Sequence, residues 1–258
     1  MLKPLFLCAA TAARFASALE FTIAGGQIYT PGLAILNSPQ PGTPLGGHTI
    51  EVSLDVSTNG RLPLPPYPEN SPSQLHNITI FLYSYETGRN FTISNGTESA
   101  TIASLGDIMT SEPGSTVKHV KWTWPDCLVG DGQPSEIDSA RGVYNISIRQ
   151  SFRLNGEEHY TVFDVPISVT NRIEESFDRP SCDELDNDLL TPEEVRESAD
   201  DLPAMFAPGD STTLETSGGS DGLAPGASGQ GLGSAAARGW GERLSWLSVA
   251  GIAAVMLL

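Results

Sequence analysis

Basic residues are scarce in this chain. Fourteen Lys and Arg stand against 31 Asp and Glu, a formal net charge of −17. Such a balance repels nucleic acid and anionic membrane surfaces, and it suits a soluble, self-repelling exterior. Histidine is sparse too: the four residues, His48, His76, His119 and His159, stand singly, and no two share metal-ligand spacing. No glycine-rich phosphate loop is present. From residue 19 to 173 there is no strong helical period, which argues against a helical domain. Long apolar runs are missing except at the C-terminal end, and that run, Leu244 to Leu258, is shorter than the ~20 residues a spanning helix needs.

Cysteine is limited to three residues. Cys8 falls within a segment that reads as a leader, which leaves Cys127 and Cys182. An even pair in a secreted chain reads as one disulfide.

Both ends carry processing signals. Residues 1–18 combine Lys3, an apolar run from Leu5 to Ala13, and the small residues Ala16-Ser17-Ala18. That order is a signal peptide, cleaved before Leu19. At the other end, small residues from Gly231 to Ala237 precede the polar spacer RGWGER and then the apolar tail. Small site, spacer and tail in that order form a glycosylphosphatidylinositol (GPI) attachment signal, with Gly233 or Ser234 as the attachment residue and 235–258 as the removed propeptide. The expected location is the extracellular face of the plasma membrane or the cell wall.

Between these ends the dominant period is two. His48 to Ser57 alternates Ile50, Val52, Leu54 and Val56 against Glu51, Ser53 and Asp55, a half-buried strand. Similar runs cover Asn77–Tyr85, Val117–Trp124, Val143–Leu154 and Tyr160–Val169, with shorter ones at Phe21–Tyr29 and Asn90–Ser94. Asn155-Gly156 reads as a hairpin turn between the last two long runs. Apolar parity in the last run shifts between Val162 and Val165, which predicts a bulge near Phe163–Pro166. About seven short strands joined by Pro- and Gly-rich turns predict an all-β, antiparallel β-sandwich of immunoglobulin or fibronectin type over residues 19–173. Tyr144 sits where a corner tyrosine would bond back to the preceding backbone. The inter-sheet disulfide of immunoglobulin domains is missing from the pattern.

Residues 174–201 hold twelve Asp or Glu against Arg179 and Arg196. Within this acidic arm, 174–207, Thr191-Pro192-Glu193-Glu194 predicts the start of a short helix running to about Leu202. Asp183 to Glu194 fails as an EF-hand, because Leu185 stands where a ligand is needed and Asp188 where the turn glycine belongs. Residues 208–234, rich in Gly and Ser, read as a disordered stalk. Gly218 to Gly222 matches G-x-S-x-G only by chance, with no strand before it and no histidine after it.

Asn-x-Ser/Thr sequons fall at Asn77, Asn90, Asn95 and Asn145, and glycans there would require surface positions. Phe81, Tyr83 and Tyr85 share the outward parity of one strand and could stack on sugar rings, or pack beneath loops. No catalytic set, metal site or cofactor is expected, and no protein partner is identified.

Ile28-Tyr29-Thr30-Pro31 and Pro44-Leu45-Gly46-Gly47, ahead of the His48 strand, resemble the opening of fungal GPI-anchored cell-surface proteins. They are similar to a cell-wall synthesis family whose N-terminal domain is immunoglobulin-like. The resemblance implies wall assembly or surface binding and carries no functional residue across. The resulting expectation is a non-enzymatic surface or wall glycoprotein, held to the membrane by GPI lipid. The alternatives are a module that binds wall polysaccharide and a secreted carbohydrate-active enzyme.

Overall fold

A computed structural model describes residues 22–96, 107–134, 136 and 139–217. The expected signal peptide, Phe21, Asp138, the expected stalk from 218 on, the Gly218–Gly222 match, Gly233, Ser234 and the apolar tail lie outside the described residues.

Among the described residues, ten strands form in chain order: β1 Thr22–Ala24, β2 Gln27–Tyr29, β3 Ile35–Ser38, β4 Thr43–Leu45, β5 Thr49–Asp55, β6 Gln74–Ser84, β7 Arg89–Ser94, β8 Val117–Thr123, β9 Gly142–Leu154 and β10 Glu157–Val169. Two helices follow, α1 Cys182–Leu185 and α2 Pro192–Ser198. The strands make two five-stranded sheets, ordered β1-β2-β3-β5-β8 and β4-β10-β9-β6-β7. The all-β, sandwich-like class therefore holds. The expected seven strands become ten because the opening run folds into a hairpin, β1–β2, and β3 and β4 are too short to show a period. β4 also runs parallel to β10, so the second sheet is mixed rather than wholly antiparallel.

Alternation drives burial. Ile50, Val52 and Leu54 from β5 and Val120 and Trp122 from β8 meet Ile78, Ile80 and Leu82 from β6 and Ile146 and Ile148 from β9 in one core. Phe91 of one sheet lies 6.2 Å, ring centre to ring centre, from Trp122 of the other. Gln150, fully buried on β9, is a polar strut between the sheets. Its Nε2 donates to Thr30 Oγ1 at 2.8 Å, and its Oε1 accepts the Ala34 N–H at 2.8 Å. Gly32 makes room for it, since a Cβ there would lie 2.4 Å from Gln150 Oε1.

The β9–β10 hairpin turns at Asn155 and Gly156, both with positive φ, as the Asn-Gly pair predicts. Its register runs unbroken from Glu157↔Leu154 to Val169↔Gly142. The bulge expected near Phe163–Pro166 does not form. Val162 is not an inward residue: Thr161, Val165, Ile167 and Val169 face the core, which turns Val162 and Asp164 to the other side. Tyr144 is fully buried, and its hydroxyl donates to the Ala140 carbonyl as the corner reading requires.

The acidic arm is packed against the sandwich. The Cys127–Cys182 disulfide joins it to the segment after β8, with 55 residues of sequence separation. Helix α2 begins at Thr191 with a full capping box. It stops at Ser198, short of Leu202, because Asp200 turns to β10: its N–H donates to Tyr160 O at 2.7 Å, and its carboxylate takes the Tyr160 N–H and His159. Met205 N–H then bonds to Thr30 O at 3.0 Å. Thr213 and Glu215 pair with the Asn155 side chain at 3.0 and 2.7 Å. The chain therefore stays on the domain through 215, and the boundary expected at 207/208 falls inside this docked segment.

Candidate functional site

The outer face of the second sheet gathers the most chemistry. Period-two alternation on β6 turns Phe81, Tyr83 and the following Tyr85 away from the core. Register places Ser147 of β9 between Phe81 of β6 and Asp164 of β10. Arg149, two residues along β9, lays its guanidinium 4.3 Å from the Phe81 ring centre. Tyr83 Oη donates to Asp164 Oδ2 at 2.8 Å. Tyr83 and Tyr85 meet edge to face at 5.2 Å. Burial drives the Tyr83 phenol far above its ordinary pKa, and the Asp164 charge adds to this; Tyr85 is raised by the same two causes. Both phenols therefore stay neutral at physiological pH and act as hydrogen-bond groups rather than bases.

The arm covers this face. Leu189, Leu190 and Val195 close over Tyr83, Tyr85, Asn90, Ser147 and Arg149, leaving a small pocket with about 10 Å³ for water centres, room for one water. Tyr85 Oη donates to Leu190 O at 3.0 Å. Asn90 Oδ1, Ser147 Oγ, Arg149 Nε and Asp164 Oδ1 are buried without a protein hydrogen-bond partner. Such atoms are uncommon in folded interiors, and several gathered at one place mark a polar subsite. Neutral aromatic rings beside amide, hydroxyl, guanidinium and carboxylate groups suit a polyhydroxylated ligand, but here the rings already serve the chain itself. Tyr83 and Tyr85 do come together, under a cover that alternation alone did not indicate, while Phe81 lies on the same face against the Arg149 guanidinium.

The four sequons differ. Asn77 and Asn95 are exposed. The Asn77 carboxamide overhangs Gly96, the middle residue of the Asn95 sequon, so both acceptors crowd one patch. Asn145 is half-buried on the outer face. Asn90 contradicts the surface expectation: it is 4 % exposed, and the arm binds its backbone N–H, its carbonyl and its side-chain Nδ2. Its N–H donates to Asp186 Oδ1 at 2.8 Å, its carbonyl accepts Asn187 N and Nδ2, both at 2.8 Å, and its Nδ2 donates to Asp188 O at 2.9 Å. Arg89 completes the clasp with Asp186 at 2.6 Å.

Elsewhere the titratable groups are dispersed. Each histidine pairs with a different carboxylate: His48 with Asp178, His76 with Glu158, His119 with Glu112, and His159 with Asp200. Hydrogen bonds from His76 and Arg153 hold Glu158 below the usual carboxylate range. Asp126, Cys127 and Cys182 converge, but the two sulfurs are bonded to each other, and Asp126 Oδ1 accepts the Cys182 N–H at 3.0 Å. Buried Arg141 spends its guanidinium on the carbonyls of Leu128, Gly132 and Asn171.

Sequence reasoning missed Asp164 and the clasp residues Asp186, Asn187 and Asp188. Asp164 was hidden by the assumed bulge; an unbroken alternation from Val165 would have set it on the outer face, though only the strand order brings it to Tyr83. The clasp carries no local signal, because its partner strand lies almost a hundred residues earlier. Comparison with known proteins found no matching family model, no matching curated protein and no matching solved structure.

Proposed function

We propose that this chain is a secreted, GPI-anchored glycoprotein of the cell surface or wall, a displayed β-sandwich with a structural or wall-assembly role and no reaction of its own. One observation supports the reading most directly. The sandwich holds its own C-terminal segment as far as Glu215, at the tip of the β9–β10 hairpin, immediately before the Gly/Ser-rich stretch. That is the layout of a domain standing off on a stalk. Phospholipase treatment of intact cells tests it, and release of the protein into the medium is the expected result. If nothing is released and no glucan-linked wall form is found, the proposal fails.

The second reading is a carbohydrate-binding module at the outer face. Tyr83 and Tyr85 beside the unpartnered atoms of Asn90, Ser147 and Arg149 favour it. A glycan array comparing the native chain with a Phe81→Ala, Tyr83→Ala, Tyr85→Ala variant separates the two. Binding to wall polysaccharide that the variant loses supports the second reading; no binding by the native chain removes it.

A further inference from the structure

The Asn90 sequon and the acidic arm compete for the same atoms. Glycan transfer joins Asn90 Nδ2 to the anomeric carbon of a lipid-pyrophosphate-linked oligosaccharide; the amide loses one proton and the lipid pyrophosphate leaves. In this fold Asn90 Nδ2 donates to Asp188 O, and the sequon's Thr92 Oγ1 accepts from Asn187 Nδ2 at 2.9 Å. The two side chains that define the sequon are therefore held by consecutive arm residues. The pocket beside Asn90 has room for a water and none for a sugar ring.

Timing makes the competition real. Asn187 follows Asn90 by 97 residues, a delay of about 5–20 s at ordinary synthesis rates. The acceptor is exposed to transfer before its clasp exists.

We propose that a glycan on Asn90 and a docked arm exclude each other, so that occupancy of this one sequon sets whether the arm covers β7 and the tyrosine face. An unmodified Asn90 lets residues 186–190 clasp the edge strand, where Phe91 and Asp186 already form a β-bridge. A glycosylated Asn90 leaves the Cys127–Cys182 bond as the arm's hold at that end and bares the polar edge of β7, a surface suited to strand addition. The inference rests on the chain passing through the secretory pathway.

Two measurements on the full chain, secreted from a eukaryotic host, test it. Glycopeptide mass spectrometry reads occupancy at all four sequons, with partial occupancy at Asn90 expected. Occupied Asn77 and Asn95 with an empty Asn90 overturn the inference and leave the glycoprotein reading standing; no glycan anywhere overturns both. The second measurement uses a chain with Asn77, Asn95 and Asn145 each changed to Gln, which keeps Asn90 as the last acceptor. Lectin affinity then splits it into two forms for hydrogen exchange over 183–198. Exchange at least tenfold faster in the lectin-bound form, with expression under an inhibitor of oligosaccharide transfer restoring protection to the whole population, supports the inference. Equal protection in both forms overturns it.

Discussion

Gly32 and Gln150 offer a sharp test of how the two sheets are held together. Gln150→Ala removes a buried carboxamide and leaves the Ala34 N–H without its acceptor. An orphaned buried donor costs about 1–3 kcal/mol, and the lost methylene about 0.8 more, so the substitution should cost about 3 kcal/mol. Gly32→Ala is a different insult. Gly32 is buried, and its new methyl would meet Gln150 Oε1 at 2.4 Å and Cδ at 2.6 Å. Overpacking of this kind costs about 2 kcal/mol. If the effects were independent the double variant would lose about 5 kcal/mol. The geometry instead says that Gln150→Ala opens the space the methyl needs, so the double variant should lose about 3 kcal/mol, a coupling of about 2 kcal/mol. Urea unfolding of all four proteins measures the cycle. In thermal unfolding, Gly32→Ala should lower Tm by about 4–8 °C in the native background and leave it nearly unchanged beside Gln150→Ala. Additive losses would refute the strut.

Replacing both Cys127 and Cys182 by Ser should cost about 4 kcal/mol for a loop of this length, read by denaturant unfolding; an unchanged midpoint would contradict this loop-closure reasoning. Thr191→Ala removes the hydroxyl half of the capping box, leaving its backbone N–H on the Glu194 carboxylate, and should weaken α2 by about 1 kcal/mol. Because α2 buries no residue, that loss should appear as faster amide exchange in 192–198 and leave the global midpoint in place. Burial raises the Tyr67 and Tyr144 phenols to about 12. A phenol whose pKa rises on folding stabilises fully below the unfolded value and stops doing so as pH climbs through the folded one. Stability should therefore fall between about pH 10 and 12. Phenolate absorbance compared with Tyr67→Phe and Tyr144→Phe variants checks this; loss of a component titrating near 10 in the folded chain would refute it.

Features fixed by neighbours in sequence were legible in advance. The alternation of Ile50, Val52 and Leu54, the Asn155-Gly156 turn, the Thr191 cap and the Tyr144 corner bond all depend on residues within a few positions of one another. The Cys127–Cys182 bond could be read by counting alone. What escaped depends on distant partners. A three-residue strand such as β4 has no period of its own and exists because β10 offers a parallel edge. Val162 misled because apolar residues occupy both faces of β10, and period alone cannot rank them. Asn90 satisfies every local requirement of a surface acceptor, and only the arm's return makes it an interior residue. The aromatic stripe Phe81, Tyr83, Tyr85 was visible, whereas the arm's cover over Tyr83 and Tyr85 was not.

The long return of the chain also decides how the molecule would bear load. A pull applied beyond residue 217 meets its first resistance at Glu215 and Thr213, then at Met205, Asp200, Leu190 and the Asn90 clasp. These contacts lie in series, so they would give way one after another at low force rather than together at high force. Peeling ends at Cys182, where a covalent bond hands the tension to Cys127 and the core. The segment from 182 to 215 would by then have paid out about 110 Å of extended chain. The sandwich thus carries its own shock absorber, and until that length is spent its two sheets would feel only the force these contacts can transmit.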